Sequence, residues 1–319
     1  MQQIFHAREI ELKKSWDEIT TLAKSDREWL TKNLPFDSLT IKKTTTSSDN
    51  SAIKWLLNTT DNDQIETVLL IHTGQKKNWG TICISSQIGC PVGCLFCATG
   101  QMGFKRNLTT EEILDQFLIA KRETHRRSIT DLNIVFMGMG EPLLNIENVL
   151  SAIEIFTNPK HYALSPTRIT ISTSGIIPGL KKLFNANLKI SLALSLHAPT
   201  EELREKIMPI NKIYPLTEIL AELKKWEQRG AEILYEYVLI DQVNDSLADA
   251  KKLAELLQGR KAKINLIPLN PIENSSFKKP SNNRLHAFLD TLKKAGINNV
   301  TFRHTKGDEI QAACGQLKS

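Results

Sequence analysis

Residues 80–100, GTICISSQIGCPVGCLFCATG, join an apolar, β-prone run to a segment rich in cysteine and glycine. The first part, GTICISS (80–86), predicts a strand, because short apolar runs bounded by turn residues are typical of buried strands. Residues 109–126, TTEEILDQFLIAKRETHR, carry apolar side chains at helical spacing and predict a helix. The cysteine segment therefore lies in the connection between a strand and a helix, where parallel α/β folds bind their ligands.

The same alternation of strand and helix continues to the end of the chain. Further strands are predicted at 133–139, 168–174, 188–197, 233–240 and 263–270, and a last one at NVTFRH (299–304). Helices are predicted at 146–156, 179–184, 216–228, 246–258 and around 285–296. Repeated βα units with apolar strands predict a parallel sheet covered by helices. Six units are fewer than the eight of a closed barrel, so we expect an α/β fold with a partial, open (βα)6 barrel. A Rossmann-like open sheet is the alternative.

The first 75 residues have a different pattern. Residues 8–30 carry apolar side chains at helical spacing, and residues 39–57, LTIKKTTTSSDNSAIKWLL, place two β-prone runs around a turn, which predicts a hairpin. We therefore expect a small α+β appendage over residues 1–75, a core over 76–307 and a C-terminal tail over 308–319.

Composition limits the class of protein. Apolar residues make up 41% and charged residues 24% of the 319, as in an ordinary globular protein, and no apolar run is long enough to span a membrane. The N-terminal residues, MQQIFHAREIELKK, lack the apolar stretch of a signal peptide, so we expect a cytoplasmic protein. The net charge of +6 suits a nucleic-acid partner, and it suits a surface of mixed charge nearly as well.

Four motifs follow predicted strands and so are expected to share one site. They are GCPVGCLFC (89–97), GMGEPLLN (138–145), STSG (172–175) and SLHAP (195–199). In a parallel sheet the carboxyl ends of the strands lie on one side, so these motifs should meet there.

The first motif carries Cys90, Cys94 and Cys97 with the spacing C-x3-C-x2-C. In a reducing compartment such a cluster indicates metal binding or catalysis rather than a structural disulfide. A structural zinc site normally needs four ligands, and the fourth would have to be Cys83, which lies inside a predicted strand. An iron–sulfur cluster held by three thiolates, with one iron left open, fits the motif better, and zinc remains the alternative.

The spacing of these cysteines, with Phe96 beside the last one, resembles the signature of the radical S-adenosylmethionine superfamily. GMGEPL resembles the GGEP motif of the same superfamily, which aligns the amino group of the cofactor. The resemblance implies a [4Fe-4S] cluster on Cys90, Cys94 and Cys97, with S-adenosylmethionine bound to the open iron.

A longer series of motifs resembles one family within that superfamily, the RlmN/Cfr adenine methyltransferases of ribosomal RNA. In chain order they are ISSQIGC, FCATG, GFKRNLT, FMGMGEPLLN, ISTSG, SLHAP, MPIN, INLIPLNP and GDEIQAACGQL. Pro142 matches the RlmN branch, which methylates carbon 2 of adenine, whereas the Cfr branch methylates carbon 8 and tends to have Ala there. The resemblance implies an adenosine of 23S ribosomal RNA as substrate, with transfer RNA as a second candidate. Carbon-8 methylation is the alternative activity, and a zinc-stabilised RNA-binding protein is the alternative outside enzymes.

The resemblance also assigns roles to three residues outside the cluster. Cys314 would accept a methyl group from one S-adenosylmethionine, and a radical from a second would remove a hydrogen from that methyl before it joins the adenine. Cys83 would resolve the protein–RNA adduct by forming a transient disulfide with Cys314. Glu66 would take the proton from the adenine carbon.

The remaining matched positions concern binding. For S-adenosylmethionine they are Gly140, Glu141, Ser172, Ser195, Leu196 (through its backbone), His197 and Asn270. For RNA phosphates, Lys105, Arg106, Arg303, His304 and Lys306 are candidates, although a charged rim explains them equally well. The implied partners are the RNA and a low-potential electron donor such as flavodoxin or ferredoxin, with no membrane and a monomeric chain. The segment before Glu66 is shorter than the RNA-binding extension usual in the family.

Overall fold

The computed structural model describes residues 2–75, 77–273, 275–303 and 306–318. Its strands are β1 (Leu39–Thr46), β2 (Ala52–Thr59), β3 (Gln64–His72), β4 (Trp79–Cys83), β5 (Gln87–Gly89), β6 (Phe104–Asn107), β7 (Asp131–Phe136), β8 (Ile169–Thr173), β9 (Ser191–Ser195), β10 (Ile233–Leu239), β11 (Ala262–Pro268) and β12 (Val300–Phe302). Its helices are α1 (Gln2–Phe5), α2 (Lys24–Asn33), α3 (Ala98–Gln101), α4 (Thr110–Arg126), α5 (Ile146–Thr157), α6 (Ile177–Asn185), α7 (Glu201–Ile207), α8 (Leu216–Gln228), α9 (Leu247–Leu257) and α10 (Asn282–Lys294). Shorter helical turns lie at His6–Ile10, Trp16–Glu18, Pro142–Leu144, Pro166–Arg168, Pro209–Lys212 and Asp308–Ile310.

Ten of the strands form one sheet in the order β1-β2-β3-β4-β7-β8-β9-β10-β11-β12. From β4 to β12 every neighbouring pair is parallel, and the strands follow chain order without a reversal. A Rossmann sheet reverses its strand order, so this arrangement is that of a barrel wall. The partial (βα)6 barrel expected from the sequence is confirmed.

Strand β10 illustrates how the sequence builds the wall. Tyr235, Tyr237 and Leu239 alternate onto the outer face, where they are fully buried, and Tyr237 lies 5.4 Å, between ring centroids, from Phe288 of α10. The intervening Glu236 and Val238 point the other way and line the interior pocket. A strand that is covered on both faces is expected to be apolar almost throughout. The single carboxylate of β10, that of Glu236, is therefore an exception, and it lies at the pocket.

The hairpin predicted over residues 39–57 is present as β1 and β2. β3 continues from it and pairs with β4, with Val68 opposite Cys83, so the sheet runs without interruption from the first 75 residues into the barrel. The short helical segment expected within residues 8–30 is present as α2, and the rest of that range contains only short turns. Leu12 has φ of +60°, which interrupts a right-handed helix, and Arg8 instead forms ion pairs with Asp37 and Asp115.

The tail after β12 contacts the opposite end of the sheet. Lys306 Nζ donates to Ile71 O of β3 at 2.8 Å, and Lys54 Nζ of β2 donates to Gln311 O at 3.1 Å. On the other side, Asn270 Nδ2, just after β11, donates to Cys314 O at 3.0 Å. The tail therefore bridges the two ends of the wall and holds Cys314 between them.

A small second sheet, formed by β5 and β6, frames the cysteine loop, and Cys90 N donates to Gly103 O at 2.6 Å. Among the described residues, the helices are all too short or too polar to cross a membrane.

Candidate active site

The carboxyl ends of the parallel strands surround a pocket. Most of the residues predicted for the cofactor and the cluster line it: Cys90, Cys94, Cys97, Gly140, Glu141, Ser172, Ser195, His197, Asn270 and Cys314. The four strand-end motifs therefore meet in one place, together with a residue from the C-terminal tail.

The three clustered thiols lie on one wall of this pocket. Burial raises the pKa of Cys90 to about 12, and burial, together with the charges of Cys97 and Cys90, raises the pKa of Cys94 well above its usual value. Such thiols hold protons until a metal replaces them. Among the described residues, no three His, Cys, Asp or Glu side chains are grouped tightly enough to hold one metal ion. Three thiols along one wall of a pocket suit the larger four-iron cluster, in which separate irons each take a thiolate.

Gly140 and Glu141 form the turn after β7. Gly140 has φ of +97°, and a Cβ there would lie 2.5 Å from Gln87 Cβ, so only glycine fits. Glu141 Oε1 accepts from Leu143 N at 3.0 Å, and Oε2 accepts from Ser174 N at 2.7 Å and from Ser174 Oγ at 2.8 Å. The carboxylate thus holds the loop after β7 to the loop after β8, and both loops line the pocket.

Ser172, Ser195 and Glu236 form a polar patch on the opposite wall. Ser172 Oγ donates to Glu236 Oε2 at 3.0 Å and lies 3.4 Å from Ser195 Oγ. Glu236 was not predicted from the sequence, and it also forms an ion pair with Arg303 at 3.2 Å. A lone carboxylate within the apolar run ILYEYVLI was the signal that could have identified it.

His197 is held as a neutral hydrogen-bond donor. Its Nδ1 accepts from Val238 N at 3.0 Å, so the ring proton lies on Nε2. Burial, and then the charge of Arg204, lower its pKa to about 3. The residue has φ of +58°, and its ring meets Phe96 edge-on at 4.9 Å.

Leu196, whose backbone was predicted to contact the cofactor, is surrounded by other protein groups. Its side chain is fully buried, its N–H donates to Glu236 O at 3.0 Å, and its carbonyl accepts from Arg204 Nε at 3.1 Å. Both backbone groups are therefore already engaged within the protein.

Cys314 lines a second cavity as well as the first. This smaller cavity is also lined by Cys83, Arg303 and Lys306, and it shares Met137, Ile267 and Asn270 with the larger pocket. Both cysteines have free thiols. Burial, then the charge of Cys314, raise the pKa of Cys83 to about 12, and Arg303 opposes this shift.

Glu66 lies on β3 next to the tail. Its Oε1 forms an ion pair with Lys54 Nζ at 2.8 Å, and its Oε2 accepts from Lys318 N at 2.8 Å. Glu66 does not line either of the two cavities formed by the described residues. In this conformation its carboxylate anchors the tail.

The residues proposed for RNA phosphates are engaged within the protein. Lys105 pairs with Asp63, and Arg106 pairs with Asp61 and Glu112. Arg303 faces the second cavity rather than an open surface, and Lys306 contacts β3 as described above. His304 lies outside the described residues.

Comparison with known proteins agrees with the geometry. Residues 84–257 match the model of the Radical SAM superfamily. A protein from Francisella tularensis subsp. tularensis strain FSC 198, named dual-specificity RNA methyltransferase RlmN, is 43% identical over 98% of this chain and 86% of its own length. One of the same name from Marinobacter nauticus is 42% identical over 99% of this chain and 84% of its own.

A solved structure extends the likeness to three dimensions. The crystal structure of a radical SAM methyltransferase from Sphaerobacter thermophilus matches with a TM-score of 0.94 and 41% identity, over 99% of this chain and 92% of that one. The fold and the site define a radical SAM enzyme, a class that uses a [4Fe-4S] cluster and S-adenosylmethionine. Within that class, the chain belongs to the RlmN family of methyltransferases, as the sequence motifs predicted.

Proposed function

We propose that this protein methylates carbon 2 of an adenosine in 23S ribosomal RNA, with transfer RNA as a second substrate. The relatives are named dual-specificity RNA methyltransferases, which supports an RNA substrate. The observation that carries the proposal is the position of Cys314, which lines both the pocket of the clustered cysteines and the cavity of Cys83. A methyl carrier needs that double access, to the cofactor on one side and to the resolving thiol on the other.

Cys90, Cys94 and Cys97 would hold the cluster, and the pocket residues from β7 to β11 would hold S-adenosylmethionine. When bound, these groups supply a 5′-deoxyadenosyl radical after one-electron reduction by a donor such as flavodoxin or ferredoxin. Two molecules of S-adenosylmethionine are used in each turnover, one as methyl donor and one as radical source. His197 Nε2 and the hydroxyls of Ser172 and Ser195 would orient the cofactor by hydrogen bonds.

Cys314 would attack the sulfonium methyl as a thiolate, because a thiolate is the nucleophilic form of cysteine. Arg303 supports this role, since its guanidinium opposes the rise that burial causes in the pKa of Cys314. An adenine carbon between two ring nitrogens resists polar methyl transfer but accepts a carbon radical. A methylene radical on the Cys314 sulfur would therefore form the new bond to the base.

Glu66 would accept the proton from the adenine carbon, and the adduct radical would give up one electron, which the cluster that supplied the first electron could take back. Cys83 would then attack the Cys314 sulfur, and the carbon released from that sulfur would take up a proton to complete the methyl group of the RNA. Because Glu66 is bonded to Lys54 and to the backbone of Lys318, this role requires the end of the tail to shift when RNA binds. Reduction of the resulting disulfide would restore both thiols.

The test uses RNA deuterated at carbon 2 of adenosine, incubated with the reconstituted enzyme and analysed by mass spectrometry of nucleosides. Methylation at carbon 2 must remove that deuterium from the ring, so we expect a methylated adenosine without deuterium on its ring carbons, which fragmentation of the nucleoside locates. Retention of the deuterium on the ring of the methylated product would overturn the proposal in favour of carbon 8. Parallel reactions with 23S and transfer RNA test the two substrates separately.

A further inference from the structure

Arg204, on α7, is a fully buried guanidinium to which the mechanism above gives no role. Its Nε donates to Leu196 O at 3.1 Å, its Nη1 to Asn211 Oδ1 at 2.7 Å, and its Nη2 to Ser174 O at 2.6 Å and to Ser195 O at 3.0 Å. All of these acceptors are uncharged. Burying a cation without a charged partner costs several kcal/mol, so its position calls for an anion nearby.

The hydrogen bonds of Arg204 join two walls of the cofactor pocket. Ser174 follows β8, and Ser195 ends β9. Ser174 donates its N–H and its hydroxyl to Glu141 and accepts at its carbonyl from Arg204, so the loop after β8 is clamped from both sides. A planar guanidinium can hold several carbonyls at fixed angles, which an ammonium group cannot do.

The same residue lies beneath the cysteine loop. Its carbonyl accepts from Met208 N at 2.7 Å, and the neighbouring carbonyl of Ile207 accepts from Leu95 N at 3.0 Å, which ties the end of α7 to the loop. Burial lowers the pKa of Arg204 to about 10, and the negative charges that oppose this shift are those of Cys94, Glu201 and Glu141, in that order. Asn211, which accepts from Arg204, donates its Nδ2 to Glu201 Oε2 at 2.7 Å, so a carboxylate belongs to the same network. The guanidinium is thus buried next to the cysteine loop, with a carboxylate one residue removed.

We propose that Arg204 is a positioning residue with two roles: it fixes the strand ends that bind S-adenosylmethionine, and it supplies a buried positive charge that favours reduction of the cluster. Reduction adds an electron to a site that already carries three thiolates, and a nearby cation stabilises that added charge. Net charge and burial are among the factors that set the potentials of iron–sulfur clusters. The inference rests on the proposed assignment of Cys90, Cys94 and Cys97 as cluster ligands.

Two variants separate the roles. Arg204→Gln removes the charge, and Arg204→Lys keeps the charge but loses the planar set of donors. Lys206→Gln, on the exposed face of the same helix, removes an equal charge and is the matched control. The measurements on the anaerobically reconstituted proteins are an EPR-monitored redox titration of the cluster and calorimetric binding of S-adenosylmethionine.

We expect Arg204→Gln to lower the ratio of reduced to oxidised cluster about tenfold at a fixed potential, which is a shift of about 59 mV for one electron. Arg204→Lys should keep the potential of the wild type but bind S-adenosylmethionine about tenfold more weakly, because hydrogen bonds to strand-end carbonyls are lost. Lys206→Gln should change neither quantity.

An unchanged potential in Arg204→Gln would overturn the electrostatic role, and unchanged affinity in Arg204→Lys would overturn the clamping role. If Arg204→Gln does not fold, Arg204→Lys decides alone, since unchanged affinity in a variant without the clamp contradicts the inference. A wild-type protein that forms no four-iron cluster would instead refute the proposed function, so the two failures are distinguishable.

Discussion

At the scale of single residues, the five cysteines are distributed between two cavities. Cys90, Cys94 and Cys97 line only the larger pocket, Cys83 lines only the smaller cavity, and Cys314 lines both. The spacing within residues 83–100 does not reveal this division. It depends on where the tail places Cys314, more than two hundred residues along the chain.

We predict that Cys314→Ala still cleaves S-adenosylmethionine reductively but transfers no methyl group to RNA. The pocket that binds the cofactor keeps its three cluster cysteines in this variant, whereas the methyl acceptor is gone. Chromatography should detect 5′-deoxyadenosine, and nucleoside analysis should find no methylated adenosine. Methylation at the wild-type level would contradict the role given to this residue.

The buried His197 predicts a dependence of stability on pH. Its pKa is about 3 in the folded protein, below the ordinary value, so the unfolded chain binds a proton first as the pH falls. The contribution is therefore fully present above about pH 6.5 and is lost progressively from there down to about pH 3. Between pH 7.5 and 5.5 we expect a loss of about 1.4 kcal/mol in the free energy of unfolding from this group.

Urea denaturation at the two pH values measures this loss, and His197→Gln should reduce it by about 1.4 kcal/mol. The control is His125→Gln, at an exposed position near the end of α4, which should leave the difference unchanged. An identical pH dependence in wild type and His197→Gln would show that the ring is not held neutral.

At the scale of elements, the sequence predicted the βα series because each strand and helix has its own period of apolar residues. The helix expected over 109–126, for example, occurs at Thr110–Arg126, with Thr109 and Glu112 forming a capping box at its start. The segment over 8–30 was predicted less well, because ion pairs with distant residues such as Asp115 shape it. Local pattern carries no information about such partners.

The residues of the candidate site could likewise be predicted where a local motif carries them and not where only distant contacts define them. Residues within motifs at strand ends converge as expected, whereas Glu236 and Arg204 were missed. Glu236 is the lone carboxylate of an apolar strand, and Arg204 is one of several charged residues in α7, where nothing in the local sequence marks it as the buried one. The contact between Glu66 and the backbone of Lys318 spans 252 residues of sequence, and no local pattern indicates it. The sequence therefore does not predict the polar contacts that form only when distant segments pack together.

The bridge between β2, β3 and the tail yields a prediction for Lys54. Its Nζ contacts both Glu66 Oε1 and Gln311 O, so it joins the proposed proton acceptor to the segment that carries Cys314. We expect Lys54→Met to loosen the tail, with faster hydrogen exchange at the described amides of 306–318 and RNA methylation reduced about tenfold or more. Losing one partner of a buried ion pair leaves the other charge uncompensated, which weakens the whole contact.

Lys43→Met is the control for this variant, because Lys43 lies on the exposed side of β1 in the same hairpin. It should exchange and methylate like the wild type. Reductive cleavage of S-adenosylmethionine should also persist in Lys54→Met, since the cluster pocket does not involve Lys54. Equal exchange in the tails of the two variants would refute the bridging role.

At the scale of the whole molecule, a barrel wall with two ends is completed by a tail that contacts both of them. This arrangement creates two cavities that share Cys314. Under the proposed function, one would serve radical generation and the other the resolution of the RNA adduct. Removing a thiol of the larger pocket and removing the thiol of the smaller cavity should therefore abolish different steps of the reaction, although both are cysteines. Cys94 and Cys83 form a matched pair for this purpose.

We predict that Cys94→Ser, purified anaerobically, loses the cluster and with it both cleavage of S-adenosylmethionine and RNA methylation. Cys83→Ser should retain about four irons per chain, cleave the cofactor, and stop at a covalent protein–RNA adduct visible on a denaturing gel. Iron and zinc analysis, cofactor cleavage and the gel shift are measured on both variants and on wild type. Zinc without iron in the wild type would refute the cluster, and iron lost equally from both variants would place Cys83 among its ligands. In that case Cys83 would bind the cluster and could not resolve the adduct, so the two cavities would not serve two separate steps.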